Sequence, residues 1–406
     1  MVFFVFLRFK TDVTMDISSY FDPIDINKID FRHDNIVPRI GDRIDSYTVQ
    51  NGRFPLIEKR SVVLIGVTDG RGTTKGLNCG NAADMIRRYL YRLAEIENGP
   101  KIIDLGNLTQ GETISDTRQA LADVTAEIIR NNGIVVVIGG GNDYTWSLYK
   151  AYAQIGRVLN MAAIDSRFDI DEQRDLDSHN YLRYIIMDQP NYLFNYTNIG
   201  YQTYFVGQQH IGLMEELKFD IFRLGWVREN IERAEPLLRN ADSISVDIGA
   251  IRQSDAPANT DPSPHGFYGE ELCEMMRYAG MSDKTSSLGI FEFSPMHDNS
   301  GQTAHLIAHA IWYFTEGVSL RKDDHPYRDT ENYRKVIVPL TEQDVEIVFY
   351  KSKKSDRWWI EIPCSSDTKD QGKRHLLIPC LYSDYEQSLE NKIPDLWWKY
   401  YQKLNS

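Results

Sequence analysis

Two aspartates, Asp165 and Asp169, enclose a short motif that could bind a metal ion, and Arg167 stands between them. The motif follows an apolar run at residues 158–164 that is typical of a strand buried on both faces. A third carboxylate, Asp247, follows another such run at residues 243–246. Carboxylate oxygens suit hard divalent cations such as Mn²⁺. The pattern therefore indicates an acidic site at strand ends that includes one permanent cation, the guanidinium of Arg167.

The elements that must position these residues are predicted by apolar runs separated by helical spacing. We expect strands at residues 61–67, 101–106, 134–138, 158–164, 204–206, 243–246 and 288–291, and helices at residues 82–96 and 114–132. Strands that alternate with helices predict an α/β fold, with a doubly wound parallel sheet covered on both faces. Ligand sites in such sheets lie at the carboxyl ends of the strands. We expect Asn142, Asp165, Asp169, Asp247 and Glu292 at that edge.

The pattern changes after residue 320. A polar connector at residues 321–330 precedes a predicted strand at 335–339, hairpin arms at 345–350 and 358–362, and a helix at 382–404. These elements predict a small α+β appendage. We therefore divide the chain into an N-terminal extension (1–58), a main α/β domain (59–320) and the appendage (321–406).

Composition narrows the possible partners and the compartment. The net charge of −13 disfavours nucleic acids and anionic membranes as partners. Four scattered cysteines without a CxxC pair favour a reducing compartment, so we expect a cytoplasmic protein. The apolar start, residues 1–10, is too short to span a membrane and lacks a basic signal region. Either Met1 or Met15 could be the initiator, and we favour Met15.

The order of the strand-end motifs resembles that of the ureohydrolase superfamily, which contains arginases, agmatinases and formiminoglutamases. The resemblance runs over about residues 62–318 and begins with Gly66, the glycine-rich loop and helix at 76–87, and a strand at 101–108. It implies a three-layer αβα arginase-like fold and a site for two Mn²⁺ ions. It also implies a homo-oligomer.

Three of the six metal-ligand positions that the resemblance implies are changed in this chain. The family's Gly-Gly-Asp-His corresponds to residues 139–142, where Asn142 replaces histidine. Its Asp-Ala-His-x-Asp corresponds to 165–169, where Arg167 replaces histidine, and its Ser-x-Asp-x-Asp to 245–249, where Gly249 replaces aspartate. By this resemblance one ion keeps Asp165, Asp169 and Asp247, with a weak neutral oxygen from Asn142, and the second keeps only the shared Asp165 and Asp247.

Two further residues correspond to positions on the family's substrate side. Glu292 begins the counterpart of Glu-x-Asn-Pro, which is followed by Asp298 and Thr303. His179 follows Ser178 in an element that lies near the substrate in several members. The resemblance implies catalytic roles for Glu292 and His179. The alternatives are that Glu292 is inherited architecture and that His179 is an ordinary polar loop residue.

The missing ligands decide the functional hypothesis. We interpret Arg167 as a cation that replaces a metal by donating charge-assisted hydrogen bonds to Asp165 or Asp247. A single residual ion and a complete centre remain alternatives. We therefore predict a non-catalytic binding, scaffolding or regulatory protein that needs no cofactor and binds a small guanidino or formimino ligand or a protein partner. The alternative is an active hydrolase of a linear carbon–nitrogen bond in a guanidino or formimino group, using an altered or single Mn²⁺ site.

Overall fold

The computed structural model describes residues 15–29, 37–73, 79–172, 175–326, 331–363 and 377–405. The segment that contains Met1 and the middle of the glycine-rich loop, residues 74–78, lie outside the described residues. The predictions made for them remain predictions. Within the described ranges, none of the helices has the length and apolar character that crossing a bilayer requires.

A ten-stranded sheet forms the centre of the molecule. Its strands are β1 Phe21–Asp22, β2 Asp45–Ser46, β3 Val62–Val67, β4 Ile102–Leu108, β5 Ile134–Ile138, β6 Leu159–Ile164, β7 Leu193–Tyr201, β8 Asp220–Arg223, β9 Ser243–Asp247 and β10 Ser287–Phe291. Their order is β1-β4-β3-β5-β10-β9-β6-β7-β8, with β2 beside β4. β1 is antiparallel to β4, whereas the other pairs are parallel. The predicted parallel α/β sheet is confirmed.

Helices cover both faces of this sheet. They are α1 Ile26–Ile29, α2 Ile40–Arg43, α3 Ala82–Leu90, α4 Ile114–Arg130, α5 Tyr144–Gln154, α6 Tyr181–Ile186, α7 Gln208–Glu216, α8 Leu224–Glu229, α9 Ala234–Arg239, α10 Gly269–Gly280 and α11 Gln302–Ser319. Alternate strand residues point to opposite faces. Accordingly, Val62 and Leu64 pack into the core that contains α10 and α11, and Val63 and Ile65 into the core that contains α4 and α5. The three-layer arrangement is confirmed.

The strand order explains why the acidic residues meet. β5, β10, β9 and β6 are consecutive neighbours in the sheet and run in the same direction. Because parallel strands end at one edge, the residues that end or follow them lie side by side. These residues are Asn142 after β5, Glu292 after β10, Asp247 at the end of β9 and Asp165 after β6.

In the main domain, one predicted strand is wrong and one predicted helix ends earlier than expected. Residues 204–206 lie in a turn, and the strand that precedes them is β7. Its polar residues Asn195, Thr197 and Asn198 are buried in the sheet, which hides the apolar signal that marks the other strands. Helix α3 ends at Leu90, because the carbonyl groups of Tyr91 and Leu93 accept hydrogen bonds from the backbone of α2.

The C-terminal region forms a separate antiparallel sheet. It contains β11 Tyr333–Leu340, β12 Val345–Ser352, β13 Trp358–Glu361 and β14 Leu377–Cys380 in that order. The single helix expected at 382–404 is instead two, α12 Tyr382–Leu389 and α13 Asp395–Asn405. Between them, Asn391 has a positive φ of 61° and Pro394 has no N–H group to continue a helix.

Helix α13 attaches this region to the main sheet. The Lys399 ammonium donates to Asp220 Oδ1 at 2.7 Å, and the Tyr400 hydroxyl donates to Asp220 Oδ2 at 3.1 Å. Lys403 donates to Asn195 Oδ1 at 2.7 Å. The contacts fix α13 against β7 and β8. The proposed domain boundaries at residues 58/59 and 320/321 remain predictions.

Candidate functional site

Three aspartates converge at the carboxyl edge of the central strands. Asp165, Asp169 and Asp247 each offer one carboxylate oxygen, and these three atoms lie within 4.8 Å of one another. We call them the carboxylate trio. Asp165 and Asp169 are buried, and Asp247 is partly exposed. Within the described ranges, it is the only group of three or more histidine, cysteine, aspartate or glutamate side chains that close together.

Backbone geometry fixes the orientation of the trio. The N–H of Arg167 donates to Asp165 Oδ1 at 2.8 Å, and the N–H of Gly249 donates to Asp247 Oδ1 at 2.6 Å. Asp169 has a left-handed backbone, with φ at 50°. Aspartate tolerates this region better than most residues. Residues that stand at lost ligand positions therefore still orient the remaining carboxylates, although through main-chain atoms.

Asn142 contacts the trio through its amide nitrogen. Its Nδ2 donates to Asp169 Oδ2 at 2.8 Å and to Asp165 Oδ2 at 3.2 Å. Its Oδ1 accepts hydrogen bonds from the hydroxyls of Ser245 at 3.0 Å and Thr145 at 3.1 Å. The neutral oxygen expected to face a metal ion therefore faces two hydroxyl groups instead. Asn142 holds the two aspartates together as a donor.

The guanidinium of Arg167 lies outside the trio. Its Nη2 donates to Asp261 Oδ2 at 3.3 Å, and its Cζ lies over the Phe205 ring at 4.2 Å from the centroid. The predicted hydrogen bonds from this guanidinium to Asp165 or Asp247 are therefore wrong. The Arg167 main chain is held at both ends: its N–H donates to Asp165 Oδ1, and its carbonyl accepts from Asn198 at 2.7 Å. This anchored backbone carries the side chain toward Phe205 and Asp261.

Burial and mutual repulsion dominate the electrostatics of the trio. Burial and the neighbouring Asp247 charge raise the pKa of Asp165. The pKa of Asp169 is raised well above its usual range by burial and by the Asp165 and Asp247 charges. Burial also raises the pKa of Asp247, although the Gly249 N–H, His179 and the Arg167 charge oppose this shift. Arg167 thus acts at a distance, and a bound cation would favour the ionised form of the three carboxylates by offsetting their burial and repulsion.

Glu292 closes the network from the neighbouring strand. Its Oε1 accepts the backbone N–H of Asn142 at 2.9 Å, and its side chain also hydrogen-bonds with Ser178. Burial and the Asp247 charge raise the pKa of Glu292. Its backbone is left-handed, with φ at 63°, which costs a non-glycine residue about 1–2 kcal/mol. Strain of this kind is concentrated at functional sites, so Glu292 is a stronger candidate than its strand-end position alone indicates.

His179 lies beside the trio. Its backbone N–H donates to Asp177 Oδ1 at 2.8 Å, and its imidazole is near enough to lower the pKa of Asp247. With Arg167, Asp169, Phe205 and other residues it lines a cavity of about 40 Å³. A cavity of this size has room for an ion or a few waters, whereas ligand pockets generally measure about 300–1,000 Å³.

The donor set fits one divalent ion and does not fit two. Three convergent carboxylates are suitable ligands for Mn²⁺, and an ion there would offset the charges that raise their pKa values. A second ion would share Asp165 and Asp247 and would find Arg167 and Gly249 at the remaining positions. A guanidinium and a glycine offer no side-chain ligand. The site therefore matches half of the binuclear centre that the sequence motifs suggested.

Several residues that shape the site carried little sequence signal. Thr145 and Asn198 position Asn142 and Arg167 by hydrogen bonds, as does Ser245 from the motif at 245–249, and Asp261 and Phe205 hold the Arg167 side chain. The sequence feature that could have pointed to them is the presence of polar residues, such as Asn198, inside buried strands. By contrast, Asp298 has a structural role, since its carboxylate accepts the N–H groups of Thr303 and Ala304 at the start of α11.

Comparisons with known proteins agree with this architecture. A family model described as the arginase family matches residues 60–316. The formimidoylglutamase of Staphylococcus haemolyticus (strain JCSC1435) is 24% identical over 273 residues, which cover 63% of this chain and 86% of that protein. The solved formimidoylglutamase of Bacillus subtilis has a TM-score of 0.63 at 20% identity, covering 71% of this chain and 94% of that one. A Trypanosoma cruzi formiminoglutamase solved with Mn²⁺ has a TM-score of 0.62 at 17% identity, covering 70% and 100%. At such identities the solved structures show the fold alone.

Proposed function

Because this chain belongs to the arginase family, we propose that it retains one of two cation positions and acts as a binding protein rather than a binuclear hydrolase. The supporting observation is the contrast within the site. Asp165, Asp169 and Asp247 bring three carboxylate oxygens within 4.8 Å, whereas Arg167 and Gly249 stand where a second ion would need ligands. Binuclear hydrolysis requires two ions about 3.5–4 Å apart that activate a shared water.

The charge balance favours a divalent cation over replacement by arginine. The Arg167 guanidinium is 31% exposed and pairs with Asp261, which is 65% exposed. A pair this exposed contributes little neutralisation at the buried carboxylates. Protons or a cation must therefore balance the trio. When bound, a cation such as Mn²⁺ would hold the trio ionised and polarise an oxygen atom of any ligand that reached it.

The residues around the trio would orient a bound ligand group and limit its size. Asn142 fixes the spacing of Asp165 and Asp169, while Glu292 supports the turn that carries Asn142. The cavity of about 40 Å³ beside the trio admits a small cationic or hydrogen-bonding group. A formimino or guanidino terminus has this size and chemistry, so we keep such a ligand as the binding hypothesis.

A second candidate function is hydrolysis of a linear carbon–nitrogen bond with a single ion. It is favoured by Glu292, which is buried, has a raised pKa and has a strained backbone. A carboxyl group of this kind can act as a general acid or base near neutral pH. His179 is near enough to act electrostatically on Asp247.

An activity assay separates the two candidates. The Mn²⁺-loaded chain would be incubated with the formimidoyl glutamate that the relatives' name implies, and with arginine and agmatine. We expect no formamide, ammonia or urea above the level of the Asp165→Ala variant. Turnover that disappears in Asp165→Ala would establish the single-ion hydrolase instead.

A gain-of-ligand variant tests the assignment of the second position. Asn142→His, Arg167→His and Gly249→Asp would be combined, since a Cβ at Gly249 would lie 3.0 Å from the movable Asp247 Oδ1. We expect the triple variant to bind one more Mn²⁺ per chain than the unaltered protein. The control combines the two histidine changes with Gly212→Asp, an open position on α7. Equal metal content in all three proteins would show that the motifs are misassigned.

A further inference from the structure

A second cavity lies where the central strands begin, at the opposite end of these strands from the carboxylate trio. Its volume is about 390 Å³, and it includes Ile134 at the start of β5 and Ser286 immediately before β10. The same two strands end at Asn142 and Glu292. The length of these strands therefore separates the cavity from the carboxylate trio, and the cavity lining contains none of the three aspartates.

Cations outnumber carboxylates in the wall of this cavity. Its lining contains Arg60, Arg157, Lys284 and Arg321, together with His325, but two carboxylates, Asp283 and Asp323. This excess is unusual for a chain with a net charge of −13. A concave surface of one sign concentrates counter-ions more strongly than a flat one. The lining therefore favours an anionic ligand.

The carboxylates near the cavity are already engaged. Asp283 accepts the backbone N–H groups of Asp323 and Asp324, at 3.1 and 2.8 Å. Asp323 pairs with Arg60. Asp242, beneath the cavity, pairs with Arg157 at 2.6 Å and with Lys284 at 3.2 Å. Among the described residues, these pairs engage the arginine and lysine side chains of the lining except Arg321.

Arg321 is held by main-chain carbonyl groups. Its Nε donates to the Gly280 carbonyl at 2.9 Å and its Nη2 to the Thr285 carbonyl at 2.8 Å. Its Nη1 has no hydrogen-bond partner, and its guanidinium no ion pair, among the described residues. Burial lowers the pKa of Arg321 to about 10. The Asp283 and Asp323 charges act on this guanidinium only at a distance and partly oppose that shift. An arginine held rigidly by two carbonyl groups and without a direct ion pair among the described residues can bind an oxyanion.

Asn132 supplies a neutral donor at the same cavity. It is exposed in the turn after α4, with a left-handed φ of 59°. Its side-chain amide has no hydrogen-bond partner in the described part of the chain. The volume suits a small molecule, being within the range of about 300–1,000 Å³ that is usual for ligand pockets.

We propose that this cavity binds a small molecule through a phosphate or carboxylate group, with Arg321 as the main anchor and Asn132 as a second donor. Both groups present several acceptor oxygens and negative charge, which is the chemistry the lining recognises. The proposal is independent of the function of the carboxylate trio.

Calorimetric titration of the full chain tests the proposal. The protein would be stripped of divalent ions, dialysed into chelator-free buffer and titrated with inorganic phosphate or with citrate at constant ionic strength. We expect saturable binding of at least one probe, and preference between them identifies phosphate or carboxylate chemistry. In a second series of titrations at increasing chloride concentration, we expect the affinity for the probe to fall. Absence of saturable binding of both probes would overturn the proposal.

Two variants locate the binding. Arg321→Gln removes the anchoring charge and is expected to weaken binding by about tenfold or more. Because Arg321 also bonds two carbonyl groups, Asn132→Asp provides a test that does not disturb them, and it should weaken binding by repulsion. The matched control is Asn391→Asp, at another left-handed asparagine outside the cavity. Affinity that is unchanged in both Arg321→Gln and Asn132→Asp would place the anion elsewhere and refute the proposal.

Discussion

The cluster around Arg87 and the carboxylate trio are both buried and acidic, but they differ in how their charge is balanced. Arg87 donates to both oxygens of Asp104 at 2.8 and 2.9 Å, and to Asp84 at 2.9 Å. The side chains of Arg87 and Asp104 are completely buried. The trio has N–H donors from Asn142, Arg167 and Gly249, but the nearest guanidinium is directed to Asp261.

This difference separates a structural cluster from a candidate binding site. A buried ion pair whose donors and acceptors are all used has no capacity for a ligand and rigidifies the fold. Burial and mutual repulsion disfavour the ionised form of carboxylates that have no cation, so a cation that enters stabilises them. We therefore expect Arg87 to determine folding and the trio to determine binding, and each prediction below tests that contrast.

The largest expected effect is a loss of stability when Arg87 is replaced. Arg87→Met leaves Asp104 buried without its partner, which should lower the free energy of unfolding by about 3–5 kcal/mol. Arg88→Met, at the exposed neighbouring position on α3, should change it by less than about 0.5 kcal/mol. Chemical denaturation measures both. Similar losses for the two variants would remove the distinction on which the comparison depends.

Binding of a cation to the carboxylate trio should stabilise the chain. At about one hundred times its dissociation constant, Mn²⁺ should raise the free energy of unfolding by about 2.7 kcal/mol. Asp247→Asn should lose this gain, yet it should be at least as stable as the unaltered protein without divalent ions, because it removes a repelling charge. Denaturation with and without Mn²⁺ measures both effects. An Asp247→Asn variant that Mn²⁺ stabilises fully would exclude the trio as the cation site.

A smaller effect is expected from pH. The folded-state pKa values of Asp165 and Glu292 are raised, so the folded chain holds more protons than the unfolded chain above about pH 4. Without divalent ions, the free energy of unfolding should therefore fall as pH rises from about 5 to about 8, by about 1 kcal/mol or more.

Carboxylates with lowered pKa values do not interfere in this pH window. Asp69 and Asp255 have lowered pKa values, so their stabilising contribution is lost only at lower pH, as they become protonated. The Asp165→Asn variant should give a flatter profile between about pH 5 and 8. A profile that rises with pH in this window, or one that is the same in both proteins, would contradict the electrostatic account of the trio.

The smallest effect is expected for Arg167. Because its ion pair with Asp261 is exposed, Arg167→Gln should change the free energy of unfolding by less than about 1 kcal/mol. It should also tighten Mn²⁺ binding by a few-fold, since a nearby positive charge is removed. Arg183→Gln, at another partly exposed arginine, is the control. A loss of more than about 3 kcal/mol would mean that the guanidinium neutralises the trio after all.

The sequence predicted the fold and the location of the site because both depend on strong local patterns. Continuous apolar runs marked β3, β5 and β6, and the polar residues that follow parallel strands had to meet at one edge. β7 was missed, since Asn195 and Asn198 interrupt its apolar pattern while satisfying hydrogen bonds in the folded sheet. Local composition does not report such long-range partners.

The direction of the Arg167 side chain could not be predicted for a similar reason. Residue types indicated that a cation stands between two aspartates, and attraction suggested that they pair. In the fold, the Arg167 backbone is fixed by Asp165 and Asn198, and Phe205 and Asp261 come from distant loops to hold the guanidinium. Charge pattern alone therefore suggested the wrong partner.

The most direct test of the proposed function is the number of Mn²⁺ ions bound per chain. Titration calorimetry of the metal-free protein, with elemental analysis after equilibrium dialysis, measures this number for the unaltered chain and for Asp247→Asn. We predict one ion for the unaltered protein and none for the variant. Two ions, or none, in the unaltered protein would contradict the assignment of a single cation position to Asp165, Asp169 and Asp247.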